Sequence, residues 1–261
     1  MPRKAWRRSS RSGRRGSAML ERNHLPTRGQ IIVTGASRGI GAAIACDLAE
    51  RGYRVAGLSR SGSSSAGTGY ACDVTDEAAL HACFAAIAGS GPIIGLVNNA
   101  GAHRSGVSAE LATETYEAVM RLDATAVMVG CREVYPHLKA SGGGLIVNIG
   151  SFFERLGVPG NLAYCAAKAA VGAMTRCLAA EWARDYIRVL NVAPGYIETD
   201  LNREFLAQEK NRAYLARRVP LGRAGTPEEV ARLVGTLFEA DIPYLTGETI
   251  TMDGGHGSNH A

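Results

Sequence analysis

The sequence lacks the features that mark secreted, metal-binding and membrane-spanning proteins. Its six cysteines are scattered along 261 residues without a Cys-x-x-Cys pair, so neither a disulfide framework nor a metal-binding spacing is indicated. No uncharged apolar run reaches the length of about 18 residues that a transmembrane helix needs, and no internal repeat is present. These absences predict a cytoplasmic protein with reduced, buried thiols, no metal and no membrane attachment.

Aromatic residues make up only 6% of the chain, but hydrophobic residues make up 46%, which is enough for one large core. Six short apolar runs alternate with segments of helical length. This alternation predicts a single-domain α/β fold, with a parallel sheet covered by helices on both faces. The predicted strands are 30–34, 54–58, 93–97, 145–149, 187–192 and 249–252.

The net charge of +5 is unevenly distributed. Residues 1–28 contain nine Lys and Arg against Glu21 alone, whereas residues 29–261 contain 20 basic and 23 acidic side chains. We therefore expect a basic, disordered extension over 1–28 and a mildly acidic domain over 29–261. The extension could be dispensable and lie upstream of a start at Met19, could be a targeting segment, or could bind an anionic partner. The domain itself gives no indication of nucleic-acid binding.

A glycine-rich loop follows the first predicted strand. Gln30–Thr34 runs directly into Gly35-Ala-Ser-Arg-Gly-Ile-Gly41, and a helix is predicted from about Ile40 to Arg51. Glycines permit a tight turn and let the backbone approach a pyrophosphate, while the helix start directs its amides at the anion. Taken alone, this spacing also suits a plain strand-to-helix turn, so both interpretations stay open at this point.

A tyrosine and a lysine stand four residues apart in the second half of the chain. Tyr164 and Lys168 would share one face of a helix, and Ser151 lies thirteen residues before the tyrosine, at the end of an apolar run. An ammonium group beside a phenol favours the phenolate and brings the phenol closer to the pH range in which proton transfer works. The alternative is an amphipathic helix whose lysine reaches solvent.

Five motifs in a fixed order carry a family resemblance. They are Thr34-Gly-Ala-Ser-Arg-Gly-Ile-Gly41, Asn98-Asn-Ala-Gly101, Ser151 with Tyr164 and Lys168, Asn191-Val-Ala-Pro-Gly195, and Leu245-Thr-Gly-Glu-Thr-Ile-Thr-Met-Asp-Gly-Gly255. Together they resemble the short-chain dehydrogenase/reductase family from about Gln30 to Gly255, and especially its 3-oxoacyl-[acyl-carrier-protein] reductase-like members. The resemblance implies a Rossmann-type doubly wound sheet and an NAD(P)-dependent enzyme that interconverts a ketone and a secondary alcohol.

The resemblance also assigns catalytic roles. Tyr164 would be the acid/base, Ser151 would bond the reacting oxygen, and Lys168 would lower the pKa of the tyrosine and hold the nicotinamide ribose. One position departs from the family, because Asp123 stands where relatives usually carry an asparagine that supports a proton relay. We expect catalysis to survive with an altered pH dependence, unless the alignment is shifted and Asp123 has no role in the site.

Cofactor choice is predicted from the end of the second strand. NAD-preferring relatives usually place an acidic residue where this chain has Ser59, and Arg60 and Arg38 would flank a 2′-phosphate. NADP(H) is therefore favoured, and NAD(H) stays open, since both arginines could be ordinary surface charges. The remaining cofactor contacts implied by the resemblance are Gly35, Ser37, Gly39, Ile40, Gly41, Asp73, Val74, Asn99, Ala100, Gly101, Pro194, Gly195, Ile197 and Thr199.

The expected substrate pocket is rich in aromatic side chains. Segments that follow three of the motifs should line the pocket with His103, Phe152, Phe153, Asn161 and Tyr196, which suits an apolar or ring-bearing substrate. The segment 196–223 resembles the mobile lid of this family. Besides 3-oxoacyl reduction, a small cyclic-alcohol or sugar dehydrogenase and a non-catalytic cofactor-binding sensor or scaffold stay open.

Partners follow from the same resemblance. Carrier-protein-dependent relatives usually have a basic residue near the stretch 178–181, where this chain reads Leu-Ala-Ala-Glu. An acyl carrier protein is therefore not favoured as a partner, although nearby arginines keep it open. We expect a homo-oligomer, a tetramer or dimer, assembled through the predicted helices 113–139 and 164–184.

Overall fold

A computed structural model describes residues 29–200 and 202–258 of the chain. Over these residues the chain forms one seven-stranded sheet in which every neighbouring pair is parallel, in the order β3-β2-β1-β4-β5-β6-β7. The strands are β1 (Gln30–Thr34), β2 (Arg54–Ser59), β3 (Thr68–Ala71), β4 (Ile93–Asn98), β5 (Gly144–Ile149), β6 (Ile187–Pro194) and β7 (Thr249–Met252). The strand order reverses beside β1, which creates a crevice at the carboxyl ends of β1 and β4.

Helices connect the strands and cover both faces of the sheet. The α-helices are α1 (Gly39–Glu50), α2 (Glu77–Gly89), α3 (Thr113–Met120), α4 (Ala126–Ala140), α5 (Leu162–Trp182), α6 (Arg203–Ala207), α7 (Glu209–Arg218) and α8 (Pro227–Glu239). A π-helical turn, Arg121–Thr125, joins α3 to α4. Short 3₁₀ turns lie at Ser108–Glu110, Phe152–Glu154, Ala183–Asp185 and His256–Ser258.

The two faces of the sheet form two separate apolar cores. Alternate residues of β1 show this, since Ile31 and Val33 belong to one core and Ile32 to the other, each fully buried. The first core lies under α1 and α8, and the second under α2, α4 and α5. Burial on both sides explains why the strands appear in the sequence as continuous apolar runs. The predicted doubly wound α/β fold is thus confirmed.

The sequence prediction missed one strand. β3 is only four residues long, lies at the sheet edge and is largely exposed, so Thr68-Gly-Tyr-Ala71 shows no apolar run. The long helix expected over 113–139 is present but is interrupted by the π turn. The extension predicted over residues 1–28 lies outside the described residues.

The structure bears on the predictions about thiols, membrane-spanning helices and metal sites. All six cysteines are free thiols, but only Cys72 and Cys131 are buried and Cys177 is exposed, so the expectation of buried thiols holds only in part. Within the described part of the chain, no helix is both long and apolar enough to cross a membrane. In the same residues, no group of three or more His, Cys, Asp or Glu side chains is arranged to hold a metal ion.

Candidate active site

The glycine-rich loop lies at the crevice beside β1 and is tied to the loop after β4. Thr34 Oγ1 accepts hydrogen bonds from the amides of Asn99 (2.9 Å) and Ala100 (3.0 Å), and Asn99 Nδ2 donates to Thr34 O at 2.9 Å. A Cβ added at Gly41 would lie 2.2 Å from the carbonyl oxygen of Gly35, so only glycine fits there. The backbone of the loop is therefore held in one compact turn.

The start of α1 is open to a ligand. Arg38 is the N-cap residue, and its side chain does not bond the first-turn amides. Unpaired amides at a helix start favour an anion, and glycine at 35, 39 and 41 leaves the approach free of side chains. The loop therefore fits the pyrophosphate of a dinucleotide better than it fits a plain turn.

The end of β2 carries the residues predicted to choose the cofactor. Ser59 is buried and its hydroxyl donates to Ser63 O at 2.6 Å, whereas Arg60 is exposed. The connection from β2 to β3 is a short serine-rich loop that folds back on the phosphate loop, where the Ser65 amide donates to Ala36 O at 3.2 Å. Arg60 therefore follows the carboxyl end of β2 with its side chain exposed to solvent.

Asp73 has a defined structural partner. Its carboxylate accepts hydrogen bonds from the Thr75 amide (2.9 Å) and the Thr75 hydroxyl (2.7 Å). These bonds, assisted by the positive charge of Arg60, lower the pKa of Asp73. The cap of α2 is Asp76, which accepts from the Ala79 amide. Asp73 thus fixes the turn before α2, and Val74 packs against the second core.

The two asparagines after β4 point to different places. Asn98 is buried, and its amide donates to Asn148 Oδ1 at 2.9 Å, while Asn148 donates to Thr175 Oγ1 of α5 at 3.0 Å. Asn99 instead braces the phosphate loop. Both are satisfied by protein groups, so the direct role of this pair is to hold β1, β4, β5 and α5 in register.

The segment after β6 closes over the phosphate loop. Gly195 donates its amide to Met252 O at 2.9 Å, and Ile197 is buried. A Cβ added at Gly39 would lie 3.6 Å from Thr199 Cγ2, so Thr199 stands directly beside the start of α1. This places Thr199, one of the predicted cofactor contacts, beside the glycine-rich loop.

Tyr164 and Lys168 share one face of α5, as their spacing predicted. The ammonium of Lys168 lies 5.4 Å from the centroid of the Tyr164 ring and donates to Ile149 O at 3.0 Å. Lys168 is 4% exposed, so the alternative of a solvent-facing lysine is wrong. Ser151 is also buried, at the end of β5, and its hydroxyl accepts the Phe153 amide at 3.2 Å, which caps the following 3₁₀ turn.

The carboxylate of Asp123 meets this lysine. Asp123 is fully buried in the π turn, with Oδ1 3.3 Å from Lys168 Nζ and Oδ2 accepting the Ala102 amide at 3.2 Å. A Cβ at Gly101 would lie 2.5 Å from Asp123 Oδ1, so the absence of a side chain there permits the approach. The structure therefore gives Asp123 a direct contact in the site.

The ion pair between Asp123 and Lys168 changes the acidity of both groups. Burial raises the pKa of Asp123, and the charge of Lys168 and the amide of Ala102 offset this only in part. Burial alone would lower the pKa of Lys168, but the negative charges of ionised Tyr164 and of Asp123 outweigh it, and the pKa of Lys168 is raised. We conclude that Asp123 favours the protonated lysine.

The predicted pocket residues gather into an aromatic wall. The rings of His103 and Tyr164 meet edge to face with centroids 5.0 Å apart, and Phe153 lies 5.9 Å from Tyr164. His103 Nε2 is 2.5 Å from Asn161 Oδ1. Phe152 contacts Tyr196 at 5.2 Å between centroids. All five predicted residues therefore belong to one contiguous surface next to Tyr164.

Sequence reasoning missed two members of this surface. His256 stacks on Tyr196 with centroids 5.7 Å apart, and Tyr214 of α7 meets Tyr196 edge to face at 6.1 Å. Burial, together with the contact with Tyr214, raises the pKa of Tyr196. The sequence also predicted no role for Glu154, the residue after Phe153, whose side chain is 5% exposed and accepts from Asn191 Nδ2 at 2.7 Å. No local pattern in the sequence indicated these contacts, because each joins distant segments.

Comparisons with known proteins agree with this geometry. A family described as enoyl-(acyl carrier protein) reductase matches residues 35–257. The chain is 38% identical to the 3-oxoacyl-[acyl-carrier-protein] reductase FabG of Vibrio cholerae, over 86% of this chain and 95% of that protein. It is 37% identical to the 2-(R)-hydroxypropyl-CoM dehydrogenase of Xanthobacter autotrophicus, over 86% and 97% respectively. A solved short-chain type dehydrogenase/reductase from Mycobacterium marinum superimposes with a TM-score of 0.81 and 30% identity, covering 91% of this chain and 98% of that chain.

These matches identify the class of protein that the fold and the crevice define. The chain belongs to the short-chain dehydrogenase/reductase family. It is an NAD(P)-dependent oxidoreductase that acts on CH–OH and C=O groups.

Proposed function

We propose that the protein is an NADP(H)-dependent oxidoreductase that interconverts a ketone and a secondary alcohol, with Tyr164 as the acid/base. The observation that carries this proposal is the buried Lys168 ammonium, which lies 5.4 Å from the Tyr164 ring at the mouth of the dinucleotide crevice. A surface lysine would contribute little to the acidity of the phenol, whereas a buried one acts through a weakly screening medium.

Each side chain then has a defined task. When bound, the nicotinamide supplies hydride to a carbonyl carbon or takes it from an alcohol carbon. Tyr164 donates the proton to the carbonyl oxygen in reduction and removes it in oxidation. Ser151, fixed by its bond to the Phe153 amide, donates its own proton in a hydrogen bond to the same oxygen. Lys168 stabilises the phenolate and has donors left for the ribose.

The crevice fits a dinucleotide with an additional phosphate. The glycine-rich loop and the open start of α1 suit the pyrophosphate, and no acidic side chain stands at position 59 to repel a 2′-phosphate. Arg60 and Arg38 would hold that phosphate. The other proposed contacts are Ser37, Ile40, Val74, Ala100, Pro194, Gly195, Ile197 and Thr199.

Removal of the Arg60 charge tests this cofactor preference. Arg60→Ala should weaken NADPH binding by roughly 10- to 100-fold, as expected for one charge-assisted contact, and should change NADH binding much less. Fluorescence titration of both cofactors measures this. Arg54→Ala, at the other end of β2, is the control. Equal losses for NADPH and NADH in Arg60→Ala would contradict the preference.

The Asp123–Lys168 pair predicts a shift in the pH dependence. Asp123→Asn removes a charge that raises the pKa of Lys168, so the protonated lysine should be lost at lower pH. The alkaline limb of log kcat/KM should then move to lower pH. Glu117→Gln, an exposed carboxylate on α3, should leave the profile in place. An unchanged profile in Asp123→Asn would show that its charge does not act on the reaction.

Two substrate classes are compatible with this chemistry. Similarity to the 3-oxoacyl-[acyl-carrier-protein] reductase favours an acyl thioester. The aromatic wall and the similarity to a hydroxypropyl-CoM dehydrogenase favour a small secondary alcohol. We propose a homo-oligomeric assembly through α4 and α5, with acyl carrier protein as a less favoured partner.

The direct test follows NADPH and NADH absorbance with an acetoacetyl thioester, plain ketones and hydroxyketones. Turnover with NADPH supports the proposal, and the preferred substrate separates the two classes. Tight cofactor binding without turnover of any carbonyl would instead favour a non-catalytic sensor or scaffold.

A further inference from the structure

We infer that His103 recognises a second hydroxyl group on the substrate, on a carbon close to the reacting carbonyl. This inference rests on the proposed function and narrows its substrate class to hydroxyketones and the corresponding diols. The observations that support it are the hydrogen bond and the ring contact that hold the imidazole beside Tyr164.

Asn161 fixes the orientation of the ring. Asn161 is 8% exposed, and its Nδ2 donates to Pro159 O at 3.0 Å, so its Oδ1 is left as an acceptor. That oxygen lies 2.5 Å from His103 Nε2, which must therefore carry the hydrogen. A neutral imidazole protonated at Nε2 has an unprotonated Nδ1, and this nitrogen can only accept.

The ring is held on the face of α5 that carries the chemistry. Asn161, Tyr164 and Lys168 follow one another at helical spacing, and His103 is bonded to the first of them. Its centroid lies 5.0 Å from that of Tyr164, with the two planes at 89°. A substrate whose oxygen bonds Tyr164 therefore lies within reach of the His103 ring.

The other residues of the aromatic wall offer few free hydrogen-bonding groups to a substrate. Phe152 and Phe153 are apolar, the ring of Tyr196 packs edge to face against Tyr214, and both ends of the Asn161 amide are used. His103 Nδ1 has no hydrogen-bond partner among residues 29–200 and 202–258. Among the same residues, Nδ1 of His256, whose ring stacks on Tyr196, is also without a partner, but His103 is the imidazole whose ring contacts Tyr164.

An accepting nitrogen selects between the two substrate classes. A hydroxyl can donate to it, whereas the second carbonyl of a 3-oxoacyl thioester would bring lone pair against lone pair. A substrate hydroxyl that donates to this nitrogen gains one hydrogen bond, which an analogue without the hydroxyl cannot form. His103 therefore favours a substrate with an apolar body and one additional hydroxyl.

Matched pairs of similar size test this inference. The pairs are 1-hydroxy-2-butanone with 3-pentanone and 4-hydroxy-2-butanone with 2-pentanone, in which a methyl group replaces the hydroxyl. Initial rates are measured at about pH 8.5, where imidazole side chains in general are neutral. In at least one pair, kcat/KM of the wild-type protein should favour the hydroxyketone by about tenfold, the effect of one hydrogen bond.

Substitution of the histidine should remove this preference. His103→Phe keeps a ring against Tyr164 and Phe153 but has no nitrogen, so the hydroxyketone-to-ketone ratio should fall to about one. His81→Phe, a 74% exposed histidine on α2, should keep the wild-type ratio. Asn161→Ala frees the imidazole and should lower the ratio as well. Cofactor titration and thermal melting check that each variant folds.

Three results would overturn the inference. They are a wild-type ratio of one or less in both pairs, an unchanged ratio in His103→Phe, and a similar loss in His81→Phe. In each case the ketones still turn over, so the proposed oxidoreductase activity stands. Absence of turnover with every carbonyl, despite tight cofactor binding, would overturn the proposed function and the inference with it.

Discussion

Tyr164→Phe is expected to lower kcat by about a thousandfold and to leave NADPH binding nearly unchanged. The substitution removes one oxygen, and positioned proton transfer contributes roughly 10²- to 10⁴-fold to a rate. The ring remains, so its edge-to-face contacts with His103 and Phe153 should persist. Stopped-flow measurement of the hydride step and fluorescence titration of the cofactor separate chemistry from binding.

A matched tyrosine provides the control for this experiment. Tyr186 is 47% exposed at the end of the 3₁₀ turn after α5, and Tyr186→Phe should retain wild-type kcat. A Tyr164→Phe protein with more than a tenth of the wild-type hydride rate would assign proton transfer to another group. A large loss of NADPH affinity would point to a binding role instead.

Lys168→Met should abolish activity and also destabilise the fold. The substitution leaves the fully buried carboxylate of Asp123 with one amide, that of Ala102, as its hydrogen-bond partner. Breaking a buried ion pair from one side costs about 3–5 kcal/mol. Proton uptake by Asp123 relieves part of this cost at low pH, so the deficit relative to wild type should grow as the pH rises. Urea unfolding at several pH values measures it.

A double variant separates the loss of activity in Lys168→Met from its loss of stability. Lys168→Met combined with Asp123→Asn removes the uncompensated charge, so it should recover much of the lost stability but none of the activity. Lys139→Met, which breaks an exposed pair with Asp185, should leave the stability close to that of the wild type. Equal stability of Lys168→Met and the double variant would contradict the assignment of Asp123 as an ionised partner.

The parts of the fold that the sequence predicts are those with a strong local signal. Strands buried on both faces appear as apolar runs, so five of the six predicted strands begin at the first residue found in the structure. The tyrosine and lysine share a helix, so their spacing alone places them on one face. β3 was missed because an exposed edge strand needs no apolar residues, and its pairing with β2 is set by the rest of the sheet.

The parts that the sequence does not predict depend on contacts between distant segments. The π turn at Arg121–Thr125 turns Asp123 inward, and nothing in the local hydrophobic pattern distinguishes it from a continuous helix. The His103–Asn161 bond joins residues 58 positions apart, and the stacking of His256 on Tyr196 brings the end of the chain to the pocket. These contacts form only in the folded protein, where the sheet brings the segments that follow its strands together at its carboxyl edge.

The two carboxylate oxygens of Asp123 connect the loop after Gly101 to the catalytic lysine. One oxygen faces Lys168 and the other holds Ala102, the residue immediately before His103. The same carboxylate thus contacts both the loop that would select the substrate and the ammonium that changes the pKa of the acid/base. Substitutions in the loop after Gly101 should therefore show non-additive effects with substitutions at Asp123, so specificity and turnover would have to be optimised together.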